Sequence, residues 1–235
     1  MLHTGHAARR QALVFNGWHN AGCAPGSSRP ISSKELIVSL FRRPLALAVL
    51  AFAGLLSACS RTEPLSDVGG IVLTQAEMGR EFTLTDTQGK KVSLSDFQGK
   101  VPVVFFGFVQ CPDVCPSSLL RASQVQQLLG PDAERVQVIF ITIDPERDTP
   151  EILQAYTTAF DPGFIALTGT PEEIARTAKE FKVFVQKVPT GSSYTLDHTA
   201  LTYVYDTQGK LQLALRHEQT AEEVASDLRK VLALH

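Results

Sequence analysis

Cys111 and Cys115, separated by Pro112, Asp113 and Val114, offer the most evident chemistry in this chain. Thiolates are both nucleophiles and soft metal ligands, so what matters is how readily each sulfur gives up its proton. Residues 101–108 (VPVVFFGF) form an apolar, β-branched and aromatic run too short for a membrane span, which predicts a central strand covered on both faces. Pro116 then fits the first helical position, and Leu119, Leu120, Val125, Leu128 and Leu129 recur at helical spacing until Gly130. This reading puts Cys115 at the helix N-cap and Cys111 one loop earlier. Unsatisfied N–H groups and partial positive charge at a helix N-terminus favour thiolate over thiol.

Strand, dithiol loop and helix together are similar to the thioredoxin arrangement, but redox enzymes of that fold place two residues between their cysteines where this chain has three. The longer loop leaves room for a metal. Soft thiolates select Cu(I), zinc or iron–sulfur clusters, and two sulfurs leave each of these short of ligands, so a third donor has to come from elsewhere. A structural disulfide or an inert buried pair is the alternative, although inert cysteines usually sit within apolar elements and not at a helix start flanked by prolines.

Of six histidines, His3, His6 and His19 fall in the N-terminal segment and His235 is the last residue. His217 lies between Arg216 and Glu218, which suits a solvated side chain. His198, in TLDHTA, follows the Gly/Ser-rich loop 190–193 and precedes a strand. It is the remaining candidate donor, with a structural histidine as the equal alternative. Two thiolates and an imidazole would satisfy three-coordinate Cu(I), or hold Cu(II) with further donors.

At 235 residues, 44% hydrophobic and 20% charged, the chain can bury one core with appendages. A net charge of -2 carries no basic footprint, so nucleic acid is not an expected partner. Residues 1–37 show no sustained periodicity and are expected to be unstructured and to precede the true translation start. Residues 38–58 combine Arg42-Arg43, the apolar run 44–56 and small residues before Cys59, the pattern of a lipoprotein signal peptide. Cys59 is then the acylated new N-terminus; a single membrane anchor followed by a chance cysteine is the alternative. Both place the domain in the bacterial cell envelope, on the periplasmic face of a membrane. Cys111 and Cys115 are then the free thiols of the mature chain, and in an oxidising compartment they need a reductant to stay reduced.

Residues 59–70 read as a polar linker and residues 71–235 as the folded domain. Residues 82–85 and 92–94 alternate as an N-terminal β-hairpin around the turn DTQGK, which returns at residues 206–210 as shared turn chemistry. A second apolar strand is predicted over residues 135–144, then a helix capped by Thr149 and Pro150 with Ile152, Leu153, Tyr156 and Phe160 on one face. A short strand over 164–167 precedes a helix opened by Thr170 and Glu173, burying Ile174, Ala178 and Phe181. Residues 200–205 and 211–215 form a closing hairpin, and Thr220 with Glu223 caps a last helix with Val224, Leu228, Val231 and Leu232 inward. The result is an α/β sandwich, a central β-sheet flanked by helices.

FFGFVQCPDVCP, TIDPERDTP and DHTA, in this order and at these separations, resemble the Sco/SenC family of copper-binding proteins that assist assembly of cytochrome c oxidase. The likeness spans residues 71–232. It implies a thioredoxin-like fold, with Cys111, Cys115 and His198 as ligands of one copper, Cu(I) and also Cu(II), destined for the binuclear Cu-A centre. The implied partners are the oxidase's Cu-A subunit, an upstream copper donor, a thiol reductant, and the membrane through the lipid anchor. Asp144 and Pro145 match the loop-ordering DPERDTP segment, and Asp113, Asp144 and Asp197 are expected to support the ligands. Pro102 departs from the family's aliphatic residue, which a strand's beginning tolerates. The expected function is a membrane-tethered metallochaperone that passes copper by ligand exchange and needs no covalent catalysis. The alternative is a thiol–disulfide reductase that keeps the oxidase's copper-site cysteines reduced. A peroxidase would need Ser117 and Arg121 beside the attacking sulfur.

Overall fold

The computed structural model describes residues 65–234. The proposed leader, Arg42-Arg43, Cys59 and the first half of the linker lie outside the described residues. Strand β1 (Ile71–Val72) opens the domain, followed by the hairpin of β2 (Thr83–Asp86) and β3 (Lys91–Ser93). Strand β4 (Val101–Gly107) is buried at every position, which explains an apolar run with no alternation. It runs parallel to β5 (Val136–Thr142), in register from Val101 opposite Val136 to Gly107 opposite Thr142, and β6 (Ile165–Thr168) adds to β5 in parallel. Helices α1 (Val114–Leu129) and α2 (Pro150–Thr158) make the two crossovers.

Helix α3 (Pro171–Glu180) leads into a hairpin of β7 (Val185–Thr190) and β8 (Ser193–His198), which pair with each other and form a separate two-stranded sheet. Strands β9 (Thr202–Tyr205) and β10 (Leu211–Leu215) return to the main sheet, and α4 (Ala221–Leu232) closes the fold. The eight-stranded order is β1-β10-β9-β4-β5-β6-β2-β3. Phe106 sits at the middle of the core, its ring 4.9 Å from Phe181 and 6.2 Å from Tyr203.

Local signals explain most boundaries. Thr170 with Glu173 and Thr220 with Glu223 form reciprocal capping boxes at the starts of α3 and α4. Both DTQGK turns are built alike: Asp86 accepts the N–H groups of Gln88 and Lys90, and Asp206 those of Gln208 and Lys210. Pro102 pairs with β5 alone, since β9 joins β4 only from Val103 onward. Buried Asp227 accepts the N–H groups of Gly69 and Gly70, so the end of the polar linker is fastened to α4.

Several expectations change. Helix α1 starts at Val114 with Asp113 at the N-cap, which places Cys115 and Pro116 inside its first turn. Proline is accepted there because the first four N–H groups of a helix have no intrahelical partner, so its position fixes the start only to within a turn. Leu120 and Leu128 are exposed, and the inward stripe is Cys115, Ser118, Leu119, Val125 and Leu129. Ile152 is likewise exposed while Leu153 faces the core. Neither β1 nor the β7–β8 hairpin is evident in the sequence. The hairpin strands are mostly exposed, so no apolar alternation marks them.

Candidate metal centre

The end of β4 delivers residues 108–113 to the first turn of α1, and the dithiol spans this junction, Cys111 in the loop and Cys115 in the turn. Cys115 is fully buried and Cys111 half-buried, and both are free thiols. Cys111 Sγ accepts the N–H of Cys115 at 3.4 Å. His198, 83 residues further on, ends β8 and brings Nε2 to 3.9 Å from Cys115 Sγ. Its Nδ1 lies 3.0 Å from the carbonyl of Thr199, a contact in which Nδ1 donates, so in the neutral imidazole the lone pair is on Nε2, on the thiol side. The Phe108 ring meets the imidazole edge-on at 6.0 Å between centroids.

With metal–sulfur and metal–nitrogen bonds of about 2.3 and 2.0 Å, donors sharing one ion stand about 3.5 to 4.3 Å apart from tetrahedral to linear geometry. The Cys115–His198 separation of 3.9 Å lies inside that range. Among the described residues no three His, Cys, Asp or Glu side chains are already grouped to hold a metal. Cys115 and His198 are spaced for one, and Cys111 is engaged with the Cys115 N–H.

The two sulfurs differ in protonation. Cys111 is lowered to about 5, chiefly by the hydrogen bond from Cys115, helped by the N–H groups of Asp113 and Cys115 and by His198, and opposed by burial. Cys115 moves the other way, raised by that same bond to Cys111 and by burial. The shared proton therefore rests on the buried sulfur, and the half-exposed one is the thiolate.

The loop is fixed from below by Asp148, a 2% exposed carboxylate that accepts the Val109 N–H at 3.1 Å and the Thr142 hydroxyl at 2.6 Å. Burial pushes its acid strength down, so its carboxyl titrates above the usual range. The hairpin is held from the same segment. Arg147 stacks on the Tyr194 ring at 3.7 Å, donates to the Tyr194 carbonyl at 2.8 Å and pairs with buried Asp144, which also accepts the Tyr194 hydroxyl at 2.7 Å.

Of the acidic candidates, Asp144 alone is buried, and directly and through Arg147 it clamps Tyr194, which lies on β8 four residues before His198. Asp113 is exposed, its side chain makes no cap bond to α1, and only its N–H contributes, as one of the smaller influences favouring the Cys111 thiolate. Asp197 is exposed, opposite Gln186 in the hairpin. His217 is half-buried, with Nδ1 3.4 Å from Ser118 Oγ and its carbonyl accepting from Arg121. The expectation of a solvated His217 fails because Arg121 of α1 holds the carbonyls of His217 and Gln219 and the Gln219 side chain bonds Asp227 of α4, which seats the turn against both helices while Arg216 and Glu218 stay exposed. Ser117 bonds the Asp113 and Val114 carbonyls and Arg121 those of His217 and Gln219, so neither serves an attacking sulfur. Sequence reasoning missed Phe108, Asp148, Arg147 and Tyr194. The TIDPERDTP segment held two of them, but its acids and arginine could not be assigned partners from spacing alone.

Residues 72–233 match the family model described as SCO1/SenC. A SCO2-like protein of Rickettsia felis is 33% identical over 79% of this chain and 92% of its own length. The structure of Bradyrhizobium japonicum ScoI with copper bound superposes with a TM-score of 0.62 at 44% identity, covering 66% of this chain and 99% of that one. BsSco, described as a member of the Sco family of cytochrome c oxidase assembly proteins with a disulfide switch, superposes at 0.55 with 25% identity, over 72% of this chain and 98% of its own. The mixed sheet flanked by helices is the thioredoxin-like fold of those Sco structures, and the chain belongs to the SCO1/SenC family.

Proposed function

We propose that this chain is a copper metallochaperone that binds one copper through Cys111, Cys115 and His198 and hands it to the Cu-A site of cytochrome c oxidase. The observation that carries this reading is the approach of His198 Nε2 to Cys115 Sγ at 3.9 Å, across 83 residues of sequence. Two thiolates and a neutral imidazole suit soft Cu(I), and Cu(II) would take further donors. Three donors, of which Cys111 and His198 are half-buried, also leave a coordination position through which an acceptor's thiolate can enter, as ligand exchange requires. Copper is the cargo here, received from an upstream donor. Lipidation at Cys59 and residence at the periplasmic face of a membrane complete the proposal, on the leader pattern alone. Among the described residues no helix is long and apolar enough to cross a membrane.

Anaerobic titration of the reduced protein with Cu(I) tests the ligand set. The expected result is about one copper per chain, with binding weakened by Cys111→Ser, Cys115→Ser and His198→Ala alike. Unchanged affinity in His198→Ala would falsify it. Binding at pH 7 should also release about one proton, from Cys115, because Cys111 is already a thiolate.

A second reading is favoured by the unequal thiols. The Cys111 thiolate can attack a target disulfide, forming a mixed disulfide and releasing one target thiolate. Cys115, losing its proton, then displaces the second target sulfur and closes a Cys111–Cys115 disulfide, which an external thiol reductant must reduce. His198→Ala separates the readings, since it should spare this exchange and weaken copper binding.

A further inference from the structure

A groove of about 710 Å³ lies between α3, the loop after β5 and the β7–β8 hairpin. Its lining is largely apolar, from Ile143, Ile174 and Ala178 to Leu196, with Phe184 and Val185 at 58% and 36% exposure. The groove and the candidate metal centre share the same pair of strands. Leu196 lines the groove two residues before His198, and Val185 is the direct cross-strand partner of His198.

Its charges are one-sided. Lys179, Lys182 and Lys187 border the groove, against Asp144 and Glu146. Asp144 is already bound by Arg147 and Tyr194, and Glu146 by Lys187. Lys179 and Lys182 form no ion pair among the described residues, so the uncompensated charge at the rim is positive. Lys182 also holds a left-handed backbone, φ 55°, at the C-terminus of α3, where the Val183 N–H returns to the Ala178 carbonyl. Glycine is the usual residue in that conformation because it carries no Cβ penalty. A lysine kept there at the expense of backbone strain, with its side chain on the groove, points to a use for the charge.

We infer that this groove docks an acidic, amphipathic segment of a partner protein, its apolar side chains against Phe184, Val185 and Leu196 and its carboxylates on Lys179 and Lys182. Such a segment would hold the partner beside the strand pair that carries His198. The partner's part in copper transfer rests on the function proposed above; the docking itself does not.

Fluorescence anisotropy of a labelled acidic peptide of leucine, phenylalanine and glutamate, titrated with the full chain, tests this. The expected result is binding that weakens about tenfold in Lys179→Glu/Lys182→Glu and in Phe184→Ala, and that falls with salt. Lys182→Gly should weaken binding severalfold while leaving the melting temperature unchanged or raised, since it relieves the left-handed strain. The same peptide with lysine for glutamate should not bind, and equal binding would overturn the inference. So would unchanged affinity in the groove variants, or adsorption to anionic vesicles through the two lysines with no peptide binding. Cys111→Ser/Cys115→Ser/His198→Ala should bind the peptide normally, which separates failure of the groove from failure of the metal site.

Discussion

Cys111 and Cys115 hang from a strand buried at all seven positions, whereas His198 ends a hairpin in which Leu196 is the one buried residue. The dithiol side inherits its geometry from the core: β4 lies between β5 and β9, Phe106 locks into Phe181 and Tyr203, and Asp148 fixes the loop. The histidine side depends on a few polar clamps, chiefly Arg147 on Tyr194 and the mutual bonds of Phe184 and Thr199. Local opening follows low buried contact, so the hairpin is the half that can part from the sulfurs at small cost. A carrier needs that asymmetry, with one side of the site fixed enough to select the metal and the other loose enough to release it.

Removing mass from the fixed side should have the largest effect. Phe106→Ala, at a fully buried ring, should lower stability by about 3–5 kcal/mol in urea denaturation. Asp148→Ala comes next: it leaves the half-buried Val109 N–H and the buried Thr142 hydroxyl without their acceptor, at a cost of about 1–3 kcal/mol. Faster alkylation of Cys115 should accompany it, and an unchanged rate would show that the loop does not depend on Asp148.

On the loose side the expected effect is local. Arg147→Ala should raise amide hydrogen exchange in β7 and β8 while β4 and β5 keep their protection, and uniform loss across both sheets would contradict a difference between the two sides. The alkylation rate of Cys111 should rise with pH to a midpoint near 5, well below that of an ordinary thiol. The sign follows from thiolate being the reactive form. The hydrogen bond from Cys115 is the main cause, so Cys115→Ser, with a poorer fit to Cys111, should move the midpoint upward. Smallest of all, Lys187→Ala removes an exposed pair with Glu146 and should leave the denaturation midpoint unmoved.

The same contrast decides what could be read from the sequence. Buried elements announce themselves: the unbroken run of β4, the capping boxes of α3 and α4 and the paired DTQGK turns all follow from local rules. The dithiol loop was legible because a strand and a helix start bracket it. The β7–β8 hairpin was not, because exposed strands such as VQKVPT carry no apolar period, and His198 could be reached only by elimination and resemblance. Asp148 and Arg147 stood in plain view in TIDPERDTP, yet their partners, Val109 and Tyr194, lie 39 and 47 residues away. Spacing along a chain cannot supply pairings of that range. The overestimate of Leu120, Leu128 and Ile152 as core has a simpler origin, since an apolar residue one step off a helical stripe looks the same in sequence as one on it.

X-ray absorption at the copper edge, on the Cu(I)-loaded chain, tests the central claim most directly. Two sulfurs at about 2.2–2.3 Å and one imidazole nitrogen at about 2.0 Å are expected, with the imidazole scattering lost in His198→Ala. A site of two sulfurs alone in the unaltered chain, identical to that of His198→Ala, would contradict it.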